Sequence, residues 1–224
     1  MNENQLRKIR SFVRREGRKN QEHSERWPAL WGKYGFDLED CFSELFSNKA
    51  PIILEIGFGD GANLLAQAKE HSQYNFIGID VYRTGAFKLM RHLDSNNINN
   101  VRVACSDAVE ILNDFIPDNA LAKVFVFFPD PWQKKRHHKR RLLQSSFFEL
   151  VWKKIEAQAD VFIATDWQNY ADGIGESLED VKDLFQKGTF YGQRCPYRIL
   201  TKFEGRAIKE QRAISEFHLI PLAK

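Results

Sequence analysis

Residues 52–61 read Ile52-Ile53-Leu54-Glu55-Ile56-Gly57-Phe58-Gly59-Asp60-Gly61. A short apolar run, broken only by Glu55, ends on three glycines, the pattern of a buried strand closing into a tight turn. The glycines let the chain bend sharply and let a ligand approach the backbone. A helical period follows at 63–71, and the alternation then continues along the chain. Further strand candidates are 75–81, 101–105, 123–128 and 160–165, separated by helix-period segments at 85–95, 108–115 and 142–157. In the last of these Leu143, Phe147, Leu150, Val151 and Ile155 recur every three or four residues, one stripe of an amphipathic helix. Ile174, Leu178, Val181 and Phe185 give the same signal in a further helix. Alternating β and α elements imply an α/β, doubly wound, mostly parallel sheet with helices on both faces. Two late strand candidates, 190–199 and 216–222, have no long helix between them, so the reading is a seven-stranded sheet closed by an antiparallel edge pair.

The chain has 224 residues and a mass of 26.2 kDa, with 43% hydrophobic residues and 18 Phe, enough for one domain with a substantial core. Residues 1–50 stand outside the alternation. Arg7, Arg10, Arg14 and Arg18 fall at helical spacing, and Trp27, Trp31 and Tyr34 follow. The expected organisation is a basic N-terminal arm and packing segment over 1–50 and one catalytic-type domain over 51–224. Cys41, Cys105 and Cys195 are scattered, which supports neither a zinc site nor a disulfide framework. The first residues lack the apolar core of a signal peptide and no apolar run is long enough to span a membrane, so a cytoplasmic protein is expected. The net charge of +3 hides a strong polarity. Residues 1–20 carry a net of +5 and 132–143 a net of +6, leaving the remainder acidic. A cationic zone on an acidic body suits a polyanionic partner.

Carboxylates recur where the parallel strands should end. Glu55 lies in the first, Asp80 ends the second, 23 residues after Gly57, and Asp107 and Asp130 follow the third and fourth. Open α/β sheets bind ligands at that edge, and a carboxylate at the Asp80 position can accept both hydroxyls of a ribose. Gly57-x-Gly59-x-x-Ala62 also satisfies the dinucleotide fingerprint, so a nicotinamide cofactor is the formal competitor. S-adenosylmethionine is favoured, because the acids Glu55 and Asp60 would repel a pyrophosphate and tolerate a zwitterion carrying a sulfonium.

Residues 127–141 run Phe-Phe-Pro-Asp-Pro-Trp-Gln-Lys-Lys-Arg-His-His-Lys-Arg-Arg. An apolar strand delivers Asp130 and Trp132 to the surface, and six cations follow within eight residues. Basic runs beside aromatics are the electrostatic footprint of nucleic-acid binding. His137 and His138 lack a third ligand at metal spacing, so no metal is expected.

On these residues the chain resembles the bacterial tRNA (guanine-N7)-methyltransferases over most of its length. Ile9-Arg10-Ser11-Phe12-Val13-Arg14-Arg15 is similar to the family's N-terminal segment and Leu54 to Gly59 to its cofactor turn. Phe127 to Trp132, with Lys134 and the following cations, resembles its most specific signature, and Thr165-Asp166-Trp167 and Thr201-Lys202-Phe203-Glu204 complete the set. The resemblance implies a Rossmann-like class I methyltransferase fold and methylation of guanosine 46 in the tRNA variable loop. It implies an S-adenosylmethionine site lined by Glu55, Gly57, Asp80, Asp107 and Asp130. It gives Asp130 the catalytic role and sets Lys134, Asp166, Thr201, Lys202, Phe203 and Glu204 on the substrate side. Two departures stand out. Asp80 replaces a Glu that many relatives have, and Arg206 to Arg212 lacks their Gly and His.

Guanine N7 has an exposed lone pair, so the reaction needs alignment rather than a strong base. Asp130, flanked by prolines, is expected to orient the base and stabilise the charge it gains. The cations of 134–141 would contact phosphates, Trp132 could stack on a splayed base or pack at the rim, and Asp166 could bond the guanine edge or cap a helix. Lys202 and Glu204 around Phe203 could close over the base or merely flank a core Phe. Competing readings are a methyltransferase acting on another RNA or DNA, a nicotinamide-dependent oxidoreductase and a noncatalytic RNA-binding module. Since one chain carries both sets of motifs, tRNA is the expected partner and no obligate protein partner or membrane is expected.

Overall fold

The computed structural model describes residues 21–223; the cationic positions Arg7, Arg10, Arg14 and Arg18 lie outside the described residues. The elements are α1 (Gln21–Tyr34), β1 (Ile52–Ile56), α2 (Ala62–Glu70), β2 (Asn75–Ile79), α3 (Arg83–Ser95), β3 (Val101–Ala104), α4 (Ala108–Asp114) and β4 (Leu121–Phe127). They continue with α5 (Ser145–Lys154), β5 (Ile155–Thr165), α6 (Gln168–Asp180), β6 (Phe185–Lys187), α7 (Lys202–Lys209) and β7 (Ser215–Pro221). The seven strands lie in the order β3-β2-β1-β4-β5-β7-β6. β1 to β5 pair in parallel, and β7 runs antiparallel to both β5 and β6. The order reverses at β1, whose neighbours β2 and β4 lead away in opposite directions, so the crevice beyond the strand ends opens there.

The central strands are apolar on both faces because both are covered. Leu54 and Ile56 of β1 join a core with Ile111, Phe147 and Ile174 from α4, α5 and α6. Ile53 points the other way, to Leu30, Leu64 and Phe87 from α1, α2 and α3. α1 lies on α3, with the His23 ring 4.5 Å from that of Phe87 and the Arg83 guanidinium 4.0 Å over Trp27. The chain after α1 then pairs with the outer strand, Phe36 N–H donating to Val103 O at 3.0 Å.

Two expectations are corrected. The stretch 190–199 is not a strand. Its Gly192 is left-handed (φ +75°) and Pro196 interrupts it, and it folds as turns that lay Tyr197 against Phe125 and Phe162 at 5.6 and 5.5 Å. It thus covers a sheet face where a helix would otherwise sit. The partner of β7 is instead β6, whose Phe185 had matched the preceding helical stripe. α6 ends at Asp180, and an apolar residue spaced one turn beyond a helix end can serve a following strand equally well. Between 190–199 and β7 lies only a short helix, the eight-residue α7, in keeping with the expectation of no long helix there. In the same way β5 begins at Ile155, so α5 is shorter than its apolar stripe.

Candidate active site

β1 delivers Glu55 to a site where it is 4% exposed. Asn63, in the first turn of α2, donates to Glu55 Oε2 at 3.1 Å, while its Oδ1 accepts the Ile199 N–H at 3.0 Å. Burial pushes the Glu55 carboxyl up to about 7; the Asn63 bond opposes the shift and the Asp80 charge adds to it. Next in the chain, Gly57 turns at φ +76°, and a side chain there would meet nothing within 4 Å. That open space over the backbone is what a ligand needs. The turn is braced from behind, because a Cβ on Gly85 would stand 1.8 Å from Gly59 O. α3 therefore begins in contact with the turn.

The Asp80 carboxylate joins the two, Oδ2 accepting the Gly59 N–H and Oδ1 the Tyr82 N–H, each at 2.8 Å. Its pKa is raised chiefly by burial, with the Asp130 charge contributing and the backbone N–H bonds opposing. Asp107 caps α4, accepting the Val109 N–H at 2.9 Å. Asp130 is exposed at the end of β4, in a Pro-Asp-Pro segment bracketed by two left-handed residues, Phe128 (φ +53°) and Trp132 (φ +45°). Non-glycine residues in that region are strained and gather at functional sites. The structure thus brings Glu55, Gly57, Asp80, Asp107 and Asp130 to one sheet edge.

Beyond Trp132 the basic run forms a 3-10 helix (Lys135–Arg140), with Lys134 exposed before it. Arg140 lies 5.0 Å over the Trp132 ring, which supports a cation. Arg141 stands apart from the exposed cations of the run. It is buried, donating from Nε to Pro131 O at 3.0 Å and from its two other nitrogens to Asn169 O and Oδ1 at 3.1 and 2.8 Å. It ties the Pro-Asp-Pro-Trp loop to α6. Between α4, α5 and the basic run lies a cleft of about 390 Å³ lined by Asp107, Lys139, Arg140, Leu142, Phe147 and Lys153.

Across the crevice stands α7. Thr201 caps it, its Oγ1 accepting the Glu204 N–H at 3.2 Å. Lys202 pairs with Asp60 of the glycine turn at 2.6 Å. Phe203 is not a core residue: it is 45% exposed, 3.8 Å from where a Cβ on Gly59 would stand. Glu204 is buried in an ion-pair cluster, accepting from Arg194 at 3.1 Å and from Arg198, which also holds Glu216. Asp166, at the end of β5, does not cap α6; its Oδ2 accepts from Arg212 Nε and Nη2 at 3.0 and 2.6 Å. Lys202, Phe203 and Asp166 thus lie beside the crevice, and Thr201 and Glu204, set on the same helix start, also hold α7 in place. Asn63, Arg198 and Arg212 escaped the sequence reading. The sequence did hold one usable signal: Thr201-x-x-Glu204 is the spacing of a capping box, which marks a helix start.

Residues 49–217 match the family model described as a putative methyltransferase. A tRNA (guanine-N(7)-)-methyltransferase of Shigella boydii serotype 4 (strain Sb227) is 45% identical over 208 residues, which cover 90% of this chain and 86% of that protein. That of Escherichia coli (strain K12) is 44% identical with the same coverage. Among solved structures, the geranyl diphosphate C-methyltransferase from Streptomyces coelicolor A3(2), in complex with S-adenosyl-L-homocysteine, superposes with a TM-score of 0.54 at 10% identity. The match covers 89% of this chain and 79% of that one. A tRNA methyltransferase from Aquifex aeolicus gives 0.51 at 16% identity, covering 93% and 73%. At such identities the two structures share the fold alone.

Proposed function

Because this chain belongs to the tRNA (guanine-N(7)-)-methyltransferase family, we propose that its strand-end acids hold S-adenosylmethionine while its basic loop and α7 present tRNA guanosine 46 for methylation at N7. The observation that carries the reading is the row Glu55, Asp80, Asp107 and Asp130 at the ends of four neighbouring parallel strands, beside the polycationic run. The cofactor fits these residues. The open backbone at Gly57 leaves space, and Asp80, though it accepts two N–H groups, keeps lone pairs for ribose hydroxyls. The ionised Glu55 would suit a cationic methionine moiety better than a pyrophosphate. Bound S-adenosylmethionine supplies a methyl carbon made electrophilic by its sulfonium sulfur.

The protein's own part is alignment. Guanine N7 needs no deprotonation, so Asp130 acts by charge and direction, facing the ring as it becomes cationic. Holding a base in line with a reacting carbon contributes roughly 7–11 kcal/mol in favourable cases. Asp166 accepts from the guanine edge, Phe203 and Lys202 border the base from α7, and Lys134 with the exposed cations after it meets phosphates. Those phosphate contacts position RNA and carry no sequence information.

Residues 1–50 serve as a basic arm and packing segment on a methyltransferase domain at 51–224, a division supported by a family match that starts at residue 49. Among the described residues no helix is long and apolar enough to cross a membrane. The protein acts in the cytoplasm, where its tRNA substrate is found, without an obligate protein partner. The test is transfer from labelled S-adenosylmethionine to unmodified tRNA, followed by nucleoside analysis. Label in 7-methylguanosine that vanishes when position 46 is changed supports the reading. Label in another nucleoside, or only in ribosomal RNA, would move the substrate and keep the chemistry.

A further inference from the structure

The β5–β7 ladder ends where Thr165 pairs with Ser215, so Asp166 and the turn before β7 leave the sheet side by side. Arg212 lies in that turn. Its backbone N–H returns to Ala207 O at 2.9 Å, behind Gln211 at φ +54°, which anchors it to the end of α7. Its Nη1 meets the Glu210 carboxylate, and its Nε and Nη2 converge on one oxygen, Oδ2 of Asp166. Two donors of one rigid planar fork on one oxygen hold that oxygen in place, where a lysine would offer a single flexible charge. They leave Oδ1 for another donor. All three of its donor nitrogens are thus turned to two carboxylates.

We infer that Arg212 is a positioning residue that locks Asp166 so that Oδ1 receives the N–H donors of the guanine Watson–Crick edge. The inference rests on the proposal that Asp166 contacts the base. Guanine carries those donors on the side of the ring system away from N7. A fixed grip on that edge therefore turns N7 toward the end of β4, where Asp130 stands.

The test compares single-turnover methyl transfer, at saturating tRNA and cofactor, for R212A, R212K, D166N, D166A and the double variant R212A/D166N. tRNA binding is measured for each at several salt concentrations. A displaced reacting group can cost on the order of a hundredfold in rate, and R212A should lose tenfold to a hundredfold. R212K should recover part of this, and the double variant should be no slower than D166N. tRNA affinity and its salt slope should stay at the level of the unmodified enzyme. Additive losses in the double variant, or full rate in R212A beside a slow D166N, would overturn the role of Arg212. A tRNA affinity and salt slope reduced by about one charge in R212A would make it a phosphate contact instead. Full rate in D166N and also in D166A, which removes the acceptor altogether, would overturn the base contact itself, a separate failure. Should R212A not fold, R212Q, which keeps one N–H toward Asp166, carries the same comparison.

Discussion

Glu55 carries two opposed demands. Its carboxyl is raised to about 7 by burial, above the ordinary value of about 4.3 in an unfolded chain. Between those values the folded protein binds more protons than the unfolded one, so stability falls as pH rises through that window and levels off above 7. The ionised form costs on the order of 4 kcal/mol of stability at pH 8 on this basis. Glu55→Gln keeps an acceptor for Asn63 and should raise the unfolding midpoint at pH 8 while leaving it unchanged near pH 4. The same change should weaken cofactor binding at pH 8 and flatten its rise with pH, as calorimetric titration would show. Asp130 is the contrasting case, exposed and without a part in packing. Asp130→Ala should keep the unfolding midpoint and lower the single-turnover rate by on the order of a hundredfold; normal turnover would remove its catalytic role. Both acids were legible in the sequence because their spacing put them at strand ends. Glu204 and Asp166 were legible as residues but not in their partners. Arg212 reaches Asp166 only because β7 returns beside β5, and Arg198 reaches Glu204 through the turn that precedes α7; neither contact shows as a hydrophobic period.

At the scale of elements, α3 is held against the glycine turn by the absence of a side chain at Gly85. Gly85→Ala would drive a Cβ into Gly59 O, a backbone atom that cannot swing aside. Such overpacking costs about 1–3 kcal/mol. The variant should lose both unfolding midpoint and cofactor affinity, since the turn must shift to admit the methyl group; unchanged affinity would show that the turn is not the cofactor's seat. β1 to β5 and α2 to α6 were readable because hydrophobic period and strand-end punctuation agree there. The last third was harder. Phe185 satisfies a helical stripe and a strand alike, and 190–199 is apolar because it covers a sheet face. α7 is announced by its cap, Thr201 with Glu204 three residues on, more than by any apolar stripe.

Across the whole molecule, charge is segregated, and the structure sorts the cations of the basic run into two kinds. Lys135 and Lys139 are exposed, whereas Arg141 is buried and bonded through all three of its nitrogens. Replacing Lys135 and Lys139 by Ala together should reduce the slope of log affinity for tRNA against log salt by about 1.5. Arg141→Ala should instead lower the unfolding midpoint and hardly change that slope; a slope change as large as that of the lysine pair would return Arg141 to the RNA face. The cluster of Arg198 with Glu204 and Glu216 has a consequence of another sort. Arg198 is 1% exposed, and losing one partner of a buried pair strands a charge, at about 3–5 kcal/mol. Mutational drift should thereby be channelled: a lineage is expected to keep the three together or to exchange them together. The helix beside the glycine turn, α7, is in that sense expected to be inherited as a unit with β7, the strand between β5 and the edge strand β6.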